Sequence, residues 1–282
     1  MSVLTKQLFD LILRTSTDLP DDVERAITKA YQAEDDTSGS KAALATILEN
    51  VDLARKLQRP ICQDTGTINF FVKAADNLCR EEFQNAAEEA IISATEQGIL
   101  RQNCVETISG RNTGNNLGYI SPLIYWQKSN SPKSEISLML KGGGCENMGT
   151  QYSLPNAQLL ADRDLEGVRR CILDAVLQAQ GQGCAPGILG VAIGGDRCAS
   201  YEESKFQLLR KIGERSPEPA LAKLEEKLIK ECNQLEIGAM GFGGKNSTVL
   251  EVFIGTRCRL PACYFVSISY MCWFCRRRNI VI

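Results

Sequence analysis

The stretch Arg59-Pro60-Ile61-Cys62-Gln63-Asp64-Thr65-Gly66-Thr67 sets a thiol, an amide and a carboxylate side by side. The proline disfavours helix at the residue before it and Gly66 permits a bend, so the pattern predicts a tight turn between a helix and a strand. A thiolate is a soft metal ligand, Asp can exchange a proton and Gln can orient a substrate by hydrogen bonds. Cys62, Gln63 and Asp64 are therefore candidate site residues, although a capped loop with a buried cysteine fits the turn equally well.

Composition narrows the class of protein. With 282 residues, of which 44% are hydrophobic, the chain can bury a full core in one large domain or two small ones. A formal charge of -2 gives no basic field for nucleic acid or an anionic membrane. No apolar run approaches the roughly 20 residues of a membrane-spanning helix. The first residues have neither signal-peptide nor presequence features, so we expect a cytoplasmic protein.

Two residue counts limit the chemistry. The 12 cysteines should be reduced in the cytoplasm, so some are metal ligands or buried apolar residues. The chain contains no His, which excludes Ser-His-Asp triads, Cys-His dyads and imidazole-ligated metals. Proton transfer must therefore fall to Asp, Glu, Lys, Tyr, Cys or a metal-bound water.

Hydrophobic periodicity predicts an α+β (mixed α/β) fold with helices packed around a mixed sheet. Residues 1–58 should be mainly helical, and 1–282 should form one domain. The predicted helices cover residues 3–14, about 21–32, 41–57, 80–97, 164–179, 201–211 and 219–235. The predicted strands cover residues 67–72, 120–127, 135–140, 188–193, 248–254 and 262–269.

Further candidates stand at strand ends and turns. Lys141-Gly142-Gly143-Gly144 follows a strand, and such glycines let backbone N–H groups approach an anion. Arg101 is a candidate clamp for a carboxylate, although an isolated Arg is more often a surface residue. Cys184 precedes a strand and Cys272 follows one, much as Cys62 lies beside one. Three dispersed thiols suit an iron–sulfur cluster with one open iron, but with 12 cysteines the spacing alone does not establish it.

Four motifs together resemble one family. Ile61-Cys62-Gln63-Asp64-Thr65-Gly66, Lys141-Gly142-Gly143-Gly144, Gly183-Cys184-Ala185-Pro186 and Cys272-Trp273 with Arg276-Arg277 occur in this order. The chain is identified by them as similar to the class I, iron–sulfur-dependent fumarate hydratases, specifically the alpha subunit or N-terminal domain. The alpha subunits of L-tartrate dehydratases are close relatives. The resemblance covers nearly the whole chain.

The resemblance implies a hydro-lyase that reversibly hydrates fumarate, a small dicarboxylate, to L-malate. It implies a [4Fe-4S] cluster with one iron not ligated by protein, held by Cys62, Cys184 and Cys272. Asp64 matches the family's acid/base residue. The substrate contacts that it implies are Gln63, Asp64, Arg101 and Gly144.

The family pattern also implies a partner. Its enzymes need a beta-type subunit or C-terminal domain that supplies the general base and further cationic contacts, so we expect a heteromer, as a dimer of heterodimers. One departure concerns the His-Pro pair ahead of the last ligand, where this chain has Leu260-Pro261. This places full activity in doubt or implies a rearranged site.

Two alternatives stay open. L-tartrate could be the substrate, although Thr67 and Glu146-Asn147 look more like fumarase. The chain could also be a non-catalytic zinc-binding protein that uses Cys272 and Cys275 with Cys258 and Cys263.

Overall fold

A computed structural model describes residues 2–282, which form two compact units. We call residues 2–20, 49–143 and 275–282 the terminal unit, and residues 21–48 and 144–274 the central unit. The helices are α1 Val3–Thr17, α2 Asp21–Ala33, α3 Gly39–Leu57, α4 Arg80–Glu96, α5 Gly143–Asn147, α6 Leu165–Ala179, α7 Arg197–Gln207 and α8 Pro219–Asn233. The strands are β1 Thr67–Ala74, β2 Leu123–Lys128, β3 Glu135–Lys141, β4 Thr150–Ser153, β5 Gly187–Gly194, β6 Val249–Arg257, β7 Phe265–Met271 and β8 Arg276–Val281. The predicted mixed α/β class is confirmed, whereas the assignment of 1–282 to one hydro-lyase domain stays a prediction.

The terminal unit is built on a sheet of order β2-β1-β3-β8, in which β1 runs parallel to β2 and antiparallel to β3. Helices α1 and α4 supply the apolar faces that bury this sheet, and Phe70 of β1 meets Phe83 of α4 edge-on at 5.5 Å. Thr67 at the start of β1 pairs with Lys141 at the end of β3. This register sets the turn before β1 beside the glycines that follow β3.

The central unit has a sheet of order β4-β7-β5-β6 with helices on both faces of β5. Leu189 and Val191 belong to the core formed with α6 and α8. Residue Gly190, on the other face of the strand, lies against α7, where a Cβ would come within 2.1 Å of the Ser204 carbonyl oxygen. Strands β5 and β7 are antiparallel with Ile188 opposite Met271. The residues before β5 and those after β7 therefore share one edge.

Several predicted boundaries were wrong for identifiable reasons. Helix α7 begins at Arg197 because the Asp196 side chain accepts a hydrogen bond from the Ala199 N–H at 2.8 Å and caps the helix there. Strand β2 begins only at Leu123, since Ile120 takes a left-handed backbone with φ 55°. Strand β7 likewise covers 265–271 and not 262–269.

Two strands of the structure, β4 and β8, were not predicted from the sequence. Strand β8 opens with three consecutive arginines, which mask any alternation of polar and apolar residues, and β4 has only four residues. Both become strands through tertiary pairing, β8 with β3 and β4 with β7. Within residues 2–282, every helix is too short or too polar to cross a membrane.

Candidate active site

The turn between α3 and β1 is anchored at its first residue. Ile61 is buried, its N–H donates to the Ser16 carbonyl at 3.1 Å, and its own carbonyl accepts from the Asn50 side chain at 3.1 Å. The next residues remain accessible: Cys62 and Asp64 are half-buried and Gln63 is exposed. The tight turn predicted from the sequence therefore displays its polar groups, as an active-site turn requires.

Three N–H donors fix the carboxylate of Asp64. Oδ1 accepts from the Gly66 N–H at 2.8 Å and from the Asn103 side-chain amide at 2.6 Å. Oδ2 accepts from the Gly143 N–H at 2.6 Å. The guanidinium of Arg276 on β8 donates to the Asp64 backbone carbonyl at 2.8 Å and holds the main chain as well.

The glycines around Asp64 are required by close backbone approach. Gly66 has φ +75°, and a Cβ there would lie 2.4 Å from the carbonyl of Lys141. A Cβ on Gly142 would lie 2.9 Å from Asp64 Oδ2. The glycine run was expected to bring N–H groups to an anion, and the anion that Gly143 meets within the terminal unit is the Asp64 carboxylate.

Arg101 is tied to the same turn through its backbone. The Thr65 hydroxyl donates to the Arg101 carbonyl at 2.7 Å and accepts from the Arg101 N–H at 2.8 Å. The buried Asn116 donates to the same carbonyl at 2.9 Å. The guanidinium is exposed and has no hydrogen-bond or ion-pair partner among residues 2–282. It is available to bind an anion, and its role as a carboxylate clamp stays a prediction.

In the central unit, Cys184 sits in a strained turn before β5. Its φ is 54°, and its N–H donates to the Gly181 carbonyl at 3.1 Å. The ring of Tyr270 packs so closely on this turn that a Cβ at Gly183 or Gly187 would come within 2.4 or 2.6 Å of it. The two glycines therefore let an aromatic side chain of β7 fix the position of the cysteine.

Cys272 lies beside the Cys184 turn. The N–H of Trp273 donates to the Cys184 carbonyl at 3.3 Å, which places the two segments side by side. The Cys272 N–H donates to the thiol of Cys145 at 3.3 Å. Gly144 borders the same segment, since a Cβ there would lie 3.9 Å from the Gln182 carbonyl. Burial, followed by the charges of Cys272, Cys145 and Cys184, raises the pKa of Tyr270 above its ordinary value.

Two residues of this site, Cys145 and Asn103, were not predicted from the sequence, and the contacts that Gly143 and Arg276 of the quoted motifs make with Asp64 were not foreseen. Cys145 was not singled out, although its place directly after three glycines is a local signal. Asn103, Gly143 and Arg276 all hold Asp64 from a distance in sequence, so only the tertiary fold reveals them.

The donor set suits a soft metal centre. All three predicted ligands are half-buried cysteines, with Cys184 and Cys272 as neighbours in the central unit and Cys62 in the terminal unit. Among residues 2–282, no group of three or more cysteine or acidic side chains is placed to hold a metal ion. The four cysteines of the zinc alternative are likewise not grouped around a metal position among residues 2–282. Of these, Cys275 is buried in the terminal unit and Cys258 is exposed in the central unit.

The position of the family's His is occupied by an exposed apolar residue. Leu260 is 71% exposed, and the Arg259 guanidinium donates to the carbonyls of Leu260 and Pro261 at 3.1 and 3.0 Å. This loop therefore offers no imidazole and presents a leucine side chain to solvent.

Comparison with known proteins assigns the family. The model of the family described as fumarate hydratase (Fumerase) matches residues 5–281. A Geobacillus stearothermophilus protein, provisionally named a class I fumarate hydratase, is 44% identical over 99% of this chain and 55% of its own length. The chain thus spans about half the length of that relative.

Tartrate dehydratase subunits are similar at lower identity. A Methanocaldococcus jannaschii protein, provisionally named an L(+)-tartrate dehydratase alpha subunit, is 36% identical over 92% of this chain and 90% of its own length. The Escherichia coli K12 L(+)-tartrate dehydratase alpha subunit is 33% identical over 99% of this chain and 90% of its own length. The family predicted from the four sequence motifs is confirmed: this chain belongs to the fumarate hydratase family.

Proposed function

We propose that this chain is the alpha-type part of a hydro-lyase that adds water reversibly to fumarate to give L-malate. The observation that carries the proposal is the Asp64 turn. It fixes one carboxylate by three N–H donors, two residues from a free thiol, and ties it through Thr65 to an arginine with a free guanidinium. The 44% identity with the Geobacillus stearothermophilus relative supports fumarate as the substrate.

The proposed cofactor is a [4Fe-4S] cluster with Cys62, Cys184 and Cys272 as its ligands. When bound, it would supply an open iron that acts as a Lewis acid on the substrate's oxygen. Half-buried cysteines at these three positions support the assignment. A chain with 12 cysteines also suits the reducing cytoplasm, the location we propose for the protein.

The remaining residues would bind and orient the substrate. Arg101 would grip one carboxylate of the dicarboxylate through its guanidinium. Gln63 and the backbone of Gly144 would add hydrogen bonds. Asp64 would exchange the proton of the water that is added or lost.

A partner of the beta type would complete the site. Hydration needs a second group to exchange the carbon-bound proton and a second cationic clamp, and such positioning is worth several kcal/mol of barrier. Two of the relatives carry the name alpha subunit, which supports a heteromer, in our proposal a dimer of heterodimers.

Dehydration of L-tartrate is the second candidate function. It is favoured by the similarity of the chain to two proteins named as L(+)-tartrate dehydratase alpha subunits, at 36% and 33% identity.

The test is anaerobic reconstitution of the chain with iron and sulfide, with and without its beta-type partner, followed by assay with fumarate and with tartrate. We expect visible absorbance from the cluster in the chain alone, and turnover only after the partner is added. Turnover of tartrate but not fumarate would select the second candidate. We expect Cys62→Ser, Cys184→Ser and Cys272→Ser each to lose iron and visible absorbance. A variant that keeps both would contradict the ligand set. The exposed Cys79 is the control, and Cys79→Ser should keep the cluster.

A further inference from the structure

The two oxygens of the Asp64 carboxylate are not equivalent. Oδ1 accepts two hydrogen bonds, from the Gly66 N–H at 2.8 Å and the Asn103 amide at 2.6 Å. Oδ2 accepts one, from the Gly143 N–H at 2.6 Å. Since each carboxylate oxygen has about two acceptor positions, Oδ1 is filled and Oδ2 keeps one position open.

Asn103 supplies the difference between the two oxygens. Its amide is the one side-chain donor to this carboxylate among residues 2–282, and the other two donors are backbone groups. The amide nitrogen must face Asp64, because the carboxylate oxygen can only accept.

Asn116 holds the backbone of Asn103 in place. The side-chain oxygen of Asn116 accepts from the Asn103 N–H at 2.8 Å, and its amide donates to the Thr95 hydroxyl of α4 at 3.0 Å. Asn116 is 2% exposed and so is held rigidly against the helix. The position of the Asn103 backbone is therefore set by α4.

We propose that Asn103 is a positioning residue, which occupies Oδ1 and leaves Oδ2 as the oxygen that exchanges a proton with the substrate. The inference rests on the proposed function, in which Asp64 carries that proton. In hydration, Oδ2 takes a proton from the water whose oxygen bonds to one alkene carbon. The π electron pair passes to the other carbon, which takes a proton from the partner's side. Dehydration reverses each transfer.

The test compares two replacements in the reconstituted complex. Asn103→Ala removes the side chain, whereas Asn103→Asp keeps its shape but presents oxygen to the carboxylate. We expect both to lower kcat about 10- to 100-fold with KM within about threefold, since misplacing a reacting group by 1 Å can cost about 100-fold. If Asn103 served only to fill space, Asn103→Asp would retain the wild-type kcat, and that result would overturn the proposal.

Asn112 is the matched control. It lies in the same loop, donates to the Gln102 carbonyl at 2.9 Å and makes no hydrogen bond to Asp64. Asn112→Ala should leave kcat unchanged within about twofold, far below the loss expected from a misplaced reacting group.

A second measurement needs no cluster and no partner. With Asn103 removed the carboxylate can turn, so hydrogen exchange at the Gly143 amide of the chain alone should be faster than in wild type by about tenfold, the equivalent of about 1.4 kcal/mol. The Phe70 amide in β1 should exchange at the wild-type rate. Unchanged exchange at Gly143 refutes the hold on Asp64. If wild-type complex turns over neither substrate, the proposed function fails, while this exchange experiment still decides whether Asn103 fixes the carboxylate.

Discussion

Gly66 combines a left-handed backbone with close approach to a neighbouring strand. Its φ is +75°, and an added Cβ would lie 2.4 Å from the Lys141 carbonyl. We expect Gly66→Ala to destabilise the terminal unit by more than about 2 kcal/mol, because the left-handed conformation alone costs a residue with a Cβ about 1–2 kcal/mol and the clash adds to it. Urea unfolding followed by hydrogen exchange at β1 would measure the loss.

Gly114 separates the cost of the left-handed backbone from the cost of the clash. Its φ is +83°, but an added Cβ would meet nothing within 4 Å. Gly114→Ala should therefore cost no more than about 1–2 kcal/mol. Equal losses in the two variants would contradict a role for the contact between Gly66 and the Lys141 backbone.

Two buried thiols make stability depend on pH. Burial, aided by the Asp174 carboxylate, raises the pKa of Cys171 to about 12. Burial, aided by the Glu231 carboxylate, also raises the pKa of Cys232 to about 12. In the unfolded chain these thiols lose their protons near pH 9, while in the folded chain they keep them. Unfolding is therefore favoured as pH rises from about 9 towards 12, by at most about 1.4 kcal/mol per pH unit for each thiol.

Substitution of Cys171 tests whether its thiol causes part of the pH dependence of the unfolding free energy. Cys171→Ala should reduce the slope of unfolding free energy against pH above pH 9, whatever its effect on absolute stability. Cys79→Ala, which alters an exposed cysteine, should leave the slope as it is in wild type. A wild-type slope in Cys171→Ala would show that its buried thiol does not control the alkaline transition.

At the scale of elements, Arg278 of strand β8 binds the chain at the C-terminal end of α1. The Arg278 guanidinium donates to Asp18 at 2.6 Å and to the carbonyls of Arg14 and Leu19 at 3.2 and 2.8 Å. We expect Arg278→Ala to cost about 1–3 kcal/mol, because half-buried acceptors lose a charged donor. Thermal unfolding of the variant would measure it.

Arg111 provides the comparison. It pairs with Glu106 at 2.6 Å on an exposed loop, and this pairing holds the pKa of Glu106 below its usual value. Because solvent screens such a pair, Arg111→Ala should leave the unfolding midpoint unchanged. Equal shifts in both variants would mean that the β8 contacts contribute no more than a surface ion pair.

The elements that were predicted correctly carry a local apolar pattern, which is either one apolar face or a continuous apolar run. Leu44, Ile47 and Val51 of α3 and the continuous apolar run of β5 are read directly from their spacing. Strand β8 was missed because its register depends on pairing with β3, so local sequence carries little of the signal.

The site residues also divide into those that local sequence predicts and those that only the fold reveals. Motif residues such as Cys62, Gln63 and Asp64 are visible in sequence because they stand together in one short polar turn. Asn103 contributes through a hydrogen bond to Asp64 that joins loops 39 residues apart, and one amide among many in that loop gives no local sign of it. Hydrogen-bond partners of this kind follow from the fold and not from composition.

At the scale of the molecule, each unit has its own hydrophobic core. Ile91 of α4 is fully buried in the core of the terminal unit, and Ile172 of α6 is fully buried in that of the central unit. We expect Ile91→Ala and Ile172→Ala each to cost about 2–5 kcal/mol. Hydrogen exchange should show the loss of protection confined to the unit that carries the substitution. Equal loss in both units from either change would indicate a single cooperative body.

The pairing of β3 with β8 has a consequence for synthesis on the ribosome. Strand β1 covers one edge of β3 early, but the other edge pairs with β8, with Glu135 opposite Val281, so residues 144–274 must be translated before that second neighbour exists. At about 5–20 residues per second, the edge of β3 waits on the order of ten seconds for its neighbour. An unpaired edge of this kind invites pairing with other chains. A ribosome that stalls within the central unit would therefore leave a nascent chain that is prone to aggregate through β3.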